Sequence, residues 1–483
     1  MPAIEESAAP SRRLSLVDCT SIIVGIIIGS GIYRSTPDIA GAVTGVGMLV
    51  GVWVLGWAIA LIGSLSYAEL ASTYPHEGGD YVFLTRAYGS VCGFLFAWLE
   101  FWVIRPGSIG AMAFVFAQYA HELFPLADNA ISSQLVYAVS SVGALSAVNV
   151  LGIRSGTWTQ NVLTAVKVLG LLAIFLTACW FFLRSPSSPT PSPSPSTASE
   201  ASDGAFNWGG FRFAMILVMF TYGGWNDISY VAAEVKRPER NVLRALLLGT
   251  TIVAVVYILV TIAFVMGLGL DGVRQSSAVA ADLMRKPLGA TGANAISLLI
   301  CISALGAING MTLTGARIYY AMGSDHRLFD FLGRWNERLG TPVRALVAQG
   351  IATIGLVLIV GTYSNGFERI LIVGAPFFWL FLTMVGISLF VLRFRDADIP
   401  RVHRVVLFPV TPILFCLSTA FMCHASTTYA ISMAGQAIRT AMDEGGLSPI
   451  AAAFSAYREG TWAVVATFVG VLVGVFTWWR DKR

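Results

Sequence analysis

Charge is scarce in this chain. Only 12% of its 483 residues are charged, about half the share found in a soluble domain, whereas 56% are hydrophobic and the mean hydropathy is +0.71. The basic residues form no soluble basic face of the kind that binds nucleic acid. We therefore expect a protein that contacts the lipid bilayer and has no nucleic-acid partner.

Chemically reactive side chains are also few and scattered. The five histidines and six cysteines show no metal-ligand spacing, and the cysteines lie in or beside apolar runs, as buried thiols do. No nucleophilic triad, phosphate-binding loop or metalloprotease helix can be identified. The sequence therefore predicts no catalytic residue, no metal and no cofactor, and it argues against an enzyme.

Long hydrophobic runs fill nearly the whole chain instead. A run of roughly 20 apolar residues crosses a bilayer as a helix. Such runs cover residues 17–42, 46–70, 90–122, 131–152, 158–183, 209–234, 242–268, 288–321, 343–362, 367–392, 406–431 and 461–479. No basic–apolar–small cleavage pattern opens the chain, so the first run is expected to be retained. We predict an all-α integral membrane protein with about 12 transmembrane helices.

The distribution of basic residues predicts the orientation. If the N-terminus is cytoplasmic, the inner loops and ends carry roughly twice as many Lys and Arg residues as the outer loops, as the positive-inside rule requires. We expect a multi-pass protein of the plasma (cell inner) membrane with both termini in the cytoplasm.

Glycines interrupt two of these runs near their middle. The first run contains Gly29-Ser30-Gly31, and the sixth contains Gly223-Gly224. An unwound backbone within lipid is tolerated only where it lines a cavity, because each unsatisfied polar group costs several kcal/mol. Paired breaks in two halves of a chain are typical of a transporter's substrate site at mid-membrane. For a single break, close helix packing explains the small residues equally well.

Broken helices offer two complementary kinds of polar group. The free amides that begin a half-helix favour a carboxylate, and the free carbonyls that end one favour an ammonium group. We expect the amides of Ser30 and Gly31 to bind a carboxylate, and the carbonyls of Ile27, Phe220 and Gly223 to bind an amine. An amino acid carries both groups, so the predicted substrate is an amino acid.

A Ser/Pro-rich tract divides the runs, five before and seven after. This outer linker is too polar to build a core. Because five is odd, a second set of five helices enters the membrane from the other side, as inverted repeats do. The predicted domains are a cytoplasmic tail (1–16), the first inverted repeat (17–183), the linker (184–208), the second inverted repeat (209–392), and helices 11 and 12 with the C-terminus (393–483).

Several short motifs together resemble one transporter family. They are Ile26–Tyr33, Ser66–Leu70, Pro75–Tyr81, Trp98–Pro106, Phe220–Asn226, Arg237–Asn241 and Asn309-Gly310 with Arg317. Over most of the chain they are similar to the amino acid–polyamine–organocation superfamily, and to its L-type amino-acid transporter branch in particular. The resemblance implies the five-plus-five inverted-repeat fold of the bacterial leucine transporter, with discontinuous helices 1 and 6, working by alternating access.

The resemblance also suggests roles for side chains around the second break. It implies that Phe220 is an aromatic lid over the substrate, and that Trp225 and Asn226 shape the site below this lid. Trp379 resembles a family position near the pocket for the substrate's side chain. From the residues alone, packing against lipid or core explains Phe220 and Trp379 as well.

Lys167 is the most conspicuous ionisable residue within a predicted span. It lies roughly nine residues into span five, too deep for a residue at a helix end. It resembles the family's fixed ammonium, which ties span five to the first helix where sodium-coupled relatives bind sodium. A lysine that releases its proton could instead carry a proton. Many relatives have a small hydroxyl residue where this chain has Met311, so the lysine's usual hydroxyl partner is in question.

Two further charged positions leave alternatives open. Asp227 would select cationic side chains if it faces the cavity, or would lie in the inner vestibule if it faces inward. Glu100 and Arg105 are five residues apart, which is not the i,i+4 spacing of a helical ion pair. We expect these two to join a structural polar network, with Arg105-Pro106 marking a kink.

The sequence therefore predicts a sodium-independent amino-acid transporter, with exchange of neutral L-amino acids as the leading function. The alternatives are a proton-coupled or cationic amino-acid or polyamine carrier, and a membrane amino-acid sensor. The loop after span three, roughly Leu123–Ile131, holds no cysteine, so no disulfide-linked heavy subunit is expected. Residues 432–460 are expected to form an interfacial helix on the outer side.

Overall fold

The computed structural model describes residues 11–127, 129–184, 207–360, 366–445, 448 and 458–481. Within these residues the chain forms the helices α1 (Leu16–Ile27), α2 (Gly31–Ala42), α3 (Val46–Thr73), α4 (Asp80–Tyr88), α5 (Ser90–Leu99), α6 (Arg105–Leu123), α7 (Ala130–Val150), α8 (Ile153–Arg184), α9 (Trp208–Thr221), α10 (Pro238–Gln275), α11 (Val279–Asp325), α12 (Val343–Val360), α13 (Gly366–Arg395), α14 (Val410–Gly445) and α15 (Arg458–Asp481). A π-helical turn covers Glu100–Ile104, and 3₁₀-helices cover Trp225–Glu234 and Arg327–Phe329.

Most of these helices are long and apolar enough to cross a membrane. In the described part of the chain, 10 helices meet that requirement singly, and the bent pair α1–α2 brings the number to 11. The sixth predicted run consists of α9, with 14 residues, and a 3₁₀-helix of 10 residues, so neither piece spans a bilayer alone. The prediction of an all-α, multi-pass membrane protein is confirmed.

Backbone contacts define two opposite faces of the helix bundle. The α1 face comprises residues 11–15, 74–80 and 234–237, where the Leu14 amide donates to the Glu234 carbonyl at 2.8 Å. The α2 face comprises residues 42–45 and 276–278, where Arg274 donates to the Val43 carbonyl at 2.8 Å. Successive long helices run alternately between these two faces.

The last helix returns the chain to the α1 face. α15 runs antiparallel to α5, because the Trp98 indole donates to the Ala466 carbonyl at 2.9 Å, and the Trp462 indole donates to the Trp102 carbonyl at 3.2 Å. The first and last described segments of the chain therefore lie on the same side of the bundle.

The broken first span runs through the middle of the bundle. α1 begins at a capping box formed by Ser15 and Asp18, and its residues 22–27 are all buried. A helix that is apolar on every side is buried on every side, and α1 contacts α8, α10 and α11. This central position brings the first break close to the most buried part of α11.

The structure describes only parts of two predicted segments, the Ser/Pro tract and residues 432–460. Most of the Ser/Pro tract 184–208 lies outside the described residues. α14 continues as one helix to Gly445, so the predicted interfacial helix does not begin as a separate element at residue 432. Most of the remainder of 432–460 lies outside the described residues.

Candidate functional site

The first predicted break separates α1 from α2. The two helices meet at an angle of 49°, and residues 28–30 between them are not helical. A Cβ atom at Gly31 would lie 2.7 Å from Cγ2 of Thr221 on α9, so glycine allows α2 and α9 to approach this closely. The first amides of α2 have no acceptor within their own helix.

The second break follows α9. Gly224 adopts a left-handed φ of 104°, a conformation that glycine tolerates best, and the chain then continues as the 3₁₀-helix Trp225–Glu234. A Cβ atom at Gly224 would lie 2.6 Å from Cγ2 of Ile26 on α1. The two breaks therefore contact each other inside the bundle.

Lys167 holds the first break from the side of α8. Its Nζ donates to the carbonyls of Gly25 and Ile28 at 2.8 Å each, and to the carbonyl of Ser303 at 3.0 Å. The side chain is fully buried, and each of the three ammonium hydrogens has an acceptor. One ammonium group therefore joins α8 to the first break and to α11.

Two residues that the sequence did not single out complete this clamp. The Ser303 hydroxyl lies 2.9 Å from the Ile28 carbonyl and 3.0 Å from the Gly29 carbonyl. The Tyr257 hydroxyl donates to the Ile27 carbonyl at 3.0 Å, and this carbonyl also accepts the Gly29 amide at 2.8 Å. The Ile27 carbonyl, which we expected to bind an amine, therefore already accepts two hydrogen bonds from the protein itself.

A cavity of about 560 Å³ lies beside the two breaks, within the size range of small-molecule pockets. It reaches the exposed residues Asp38 and Ser277 toward the α2 face. The predicted site residues that line it are Ile27, Ser30, Gly31, Phe220, Gly223, Asp227 and Trp379.

Trp225 and Asn226 lie beneath the cavity and do not line it. Trp225 packs edge-on against Tyr67 and Phe415, with ring centroids 5.0 and 6.0 Å apart. The Asn226 side-chain amide donates to the Tyr230 hydroxyl at 3.0 Å. In this conformation these two residues therefore support the site from below.

The floor of the cavity carries three charged side chains. Arg105 pairs with Glu100 at 3.1 Å and with Asp227 at 2.6 Å, and none of the three is more than 5% exposed. The Thr314 hydroxyl donates to the same Asp227 oxygen at 2.6 Å. Asp227 therefore faces the cavity, which is one of its two predicted positions, and the single Arg105 guanidinium pairs with both carboxylates.

Glu100 and Arg105 meet because the backbone between them is π-helical. A π-helical turn bonds residues five apart, and the Arg105 amide donates to the Glu100 carbonyl. Side chains at i and i+5 are thereby brought onto one side of the helix. The irregularity expected at Arg105-Pro106 is therefore a π-helical turn that ends just before it. The expected polar network of Glu100 and Arg105 also includes Asp227, which the sequence did not connect to Arg105.

Buried polar contacts fill the space between the cavity floor and the α1 face. Arg317 donates to both carboxylate oxygens of Glu234, at 2.7 and 3.3 Å, and both side chains are 1% exposed. The Tyr230 hydroxyl donates to Asp80 at 3.0 Å. The cavity therefore extends toward the α2 face and is closed toward the α1 face.

Comparison with known proteins identifies the family that this arrangement belongs to. The model of the Amino acid permease family matches residues 14–442. The chain belongs to this family. Membership confirms the resemblance noted from the sequence motifs, and it makes this permease a transporter and not an enzyme.

Curated relatives match this permease over most of its length. It is 29% identical to the b(0,+)-type amino acid transporter 1 of Mus musculus over 413 residues, which are 85% of this chain and 82% of the relative. It is 30% identical to the mouse Large neutral amino acids transporter small subunit 2 over 419 residues (84% and 75%). It is 26% identical to the Cystine/glutamate transporter of Pongo abelii over 424 residues (87% and 81%).

Replacing Lys167 by methionine tests the clamp in this permease. Lys167→Met removes the donor that three buried carbonyls share, although the Ile28 carbonyl keeps the Ser303 hydroxyl. Leaving a buried polar group unsatisfied costs about 1–3 kcal/mol, so we expect a loss of about that size in unfolding free energy. Thermal unfolding in detergent, followed by tryptophan fluorescence, measures the change.

Lys286→Met is the matched control, because Lys286 is exposed and, within the described residues, donates to the Gly267 carbonyl. We expect a change below about 0.5 kcal/mol for this exposed position. Equal shifts for the two variants would contradict the role of Lys167 as a clamp.

Proposed function

We propose that this permease exchanges neutral L-amino acids across the membrane, without sodium, by alternating access. The observation that carries the proposal is the meeting of two broken helices beside a cavity whose wall includes the first residues of α2. In this proposal the substrate carboxylate binds the amides of Ser30 and Gly31. The substrate amine binds the carbonyl of Gly223 and that of Phe220, which also accepts the Gly223 amide at 3.1 Å. The names of the relatives support an amino acid as the substrate.

Sodium independence rests on the occupancy of the first break. The carbonyls of Gly25, Ile28 and Ser303 already bind the Lys167 ammonium, and they are the oxygens that a cation at this place would need. The fixed positive charge also repels a second cation. All three hydrogens of the Lys167 ammonium are donated to carbonyls. If Lys167 lost a proton, its lone pair would face a carbonyl oxygen, which is unfavourable. This arrangement favours a fixed bridge over a proton carrier.

Preference for neutral substrates rests on the buried ion pairs of the cavity floor, because Glu100 and Asp227 both already bind Arg105. A basic side chain would have to displace Arg105, which lies 2.6 Å from Asp227. Elsewhere the wall offers the apolar groups of Ala307, Met311 and Trp379. An apolar side chain gains free energy on this surface, and a cationic one must first break a buried ion pair.

Alternating access follows from the asymmetry between the two faces. We propose that the α1 face is cytoplasmic, because the loops predicted on that side hold most of the basic residues, and that the protein resides in the plasma membrane. α1–α8 and α9–α13 act as the two inverted repeats. Substrate then enters from outside in the conformation described and leaves when the α1 face opens, with no disulfide-linked heavy subunit required.

Exchange is tested with sodium-free proteoliposomes that are either preloaded with unlabelled leucine or left empty. We expect labelled leucine to enter preloaded vesicles at least about tenfold faster, and excess leucine to compete better than excess arginine. Equal uptake into empty vesicles that rises with an inward proton gradient would replace exchange by proton coupling. Binding without any uptake would replace transport by sensing.

Phe220→Ala tests the lid. Phe220 is 49% exposed at the end of α9 and borders the cavity, so closure over a substrate would bury more of it. Losing that burial weakens substrate binding by about 1.5 kcal/mol. We therefore expect the half-saturation concentration for leucine exchange to rise about tenfold. Phe213→Ala is the matched control, since Phe213 lies on the same helix and is 48% exposed. Equal effects of the two substitutions would exclude a lid.

A further inference from the structure

Two buried carboxyl groups in the closed α1 face have no part in substrate binding. Both belong to the segment 74–80, in which Glu77 lies between α3 and α4 and Asp80 is the first residue of α4, and they are 6% and 2% exposed. Among the described residues, neither oxygen of Glu77 has a hydrogen-bond partner, and Oδ1 of Asp80 has none. Burying an ionised carboxylate without partners is far more costly than burying a neutral carboxyl group.

The charges around Glu77 do not compensate it. Glu234 on the 3₁₀-helix and Arg317 on α11 are the charged groups that act on it. Arg317 is committed to both oxygens of Glu234, so this cluster holds two carboxyl groups for one guanidinium. Burial, and then the charge of Glu234, raise the pKa of Glu77 well above its usual range, and Arg317 offsets only part of the rise.

Asp80 is in a similar position. Its Oδ2 accepts the Tyr230 hydroxyl at 3.0 Å, and Tyr67 also faces it. The charged groups that raise its pKa, Glu100 and Asp227, are both acidic, and both already pair with Arg105. Burial raises the pKa of Asp80 to about 7, although the hydrogen bond from Tyr230 lowers it. The two carboxyl groups therefore share a shortage of positive charge.

The segment 74–80 is packed against the second broken helix. The Gly78 amide donates to the Tyr230 carbonyl at 3.0 Å, and a Cβ atom at Gly79 would lie 2.4 Å from the Ser229 hydroxyl oxygen. Opening of the α1 face requires the 3₁₀-helix to separate from its neighbours there. Water would then reach Glu77 and Asp80 and stabilise their ionised forms.

We propose that Glu77 and Asp80 form a proton-binding site through which the pH at the α1 face controls the opening of that face. The inference rests on the proposed function, because it concerns the step in which that face opens to release substrate. Both carboxyl groups lie in the seal and outside the cavity wall, so their protons exchange with the solution on the same side. The site therefore regulates transport and does not drive it.

The sign of the effect follows from proton linkage. The closed state holds these protons more tightly than the open state, so acid stabilises closure. When the pH rises through the pKa values of Glu77 and Asp80 in the closed state, the bound protons no longer stabilise that state. The α1 face then opens more often. Each titrating group can change the ratio of open to closed states by up to about tenfold per pH unit.

Inside-out membrane vesicles, loaded with unlabelled leucine at a fixed internal pH, expose the α1 face to the bath. Uptake of labelled leucine by the unmodified protein is expected to rise several-fold between a bath at about pH 6 and one at about pH 8. The double variant E77Q/D80N stays neutral at both positions and is expected to show a ratio near one. The single variants E77Q and D80N are expected to lie between. Asp330→Asn is the control, since Asp330 is 68% exposed, and it is expected to keep the unmodified ratio.

A double variant that keeps the full pH response would overturn the inference while leaving the proposed function intact. If the double variant is inactive, the single variants decide, because at least one of them must show a reduced ratio. Absence of uptake by the unmodified protein at every pH would reject the proposed function, and this inference with it.

Discussion

The backbone carbonyls freed by the first helix break impose the constraint on which the rest of the structure depends. Within lipid, no water is present to satisfy them. Lys167 from α8, Ser303 from α11 and Tyr257 from α10 supply the missing donors. Because this clamp uses the end of α1, the amides at the start of α2 are left to the cavity. The same break therefore gives one helix end to the protein and leaves the other facing the cavity.

The sequence predicted the elements that depend on local signals. Gly-Ser-Gly and Gly-Gly within membrane-length runs located both breaks, and the depth of Lys167 marked it as a partner for buried oxygens. Ser303 and Tyr257 carry no such signal, because serine and tyrosine are ordinary in apolar helices. Only the packing of α10 and α11 around α1 brings them to carbonyls more than 200 residues away in the chain.

Corrections to the predicted site share this origin in tertiary packing. The Ile27 carbonyl was expected to bind an amine, but the Tyr257 hydroxyl and the Gly29 amide already donate to it. The pairing of Glu100 with Arg105 depends on a π-helical turn, which five-residue spacing alone does not reveal, and Asp227 reaches Arg105 through tertiary packing. Below the cavity floor, buried pairs such as Arg317 with Glu234 close the α1 face. On the α2 side the cavity is bordered by exposed residues. This difference between the faces supports the proposed alternating access.

The most direct test of the central claim is a structure of the protein with bound L-leucine, determined by electron cryomicroscopy in sodium-free buffer. The account predicts the leucine carboxylate within about 3 Å of the Ser30 and Gly31 amides, the side chain toward Trp379, and Lys167 still bound to the first break. Leucine at another place, or Lys167 withdrawn from the carbonyls of Gly25 and Ile28 in the bound state, would contradict it.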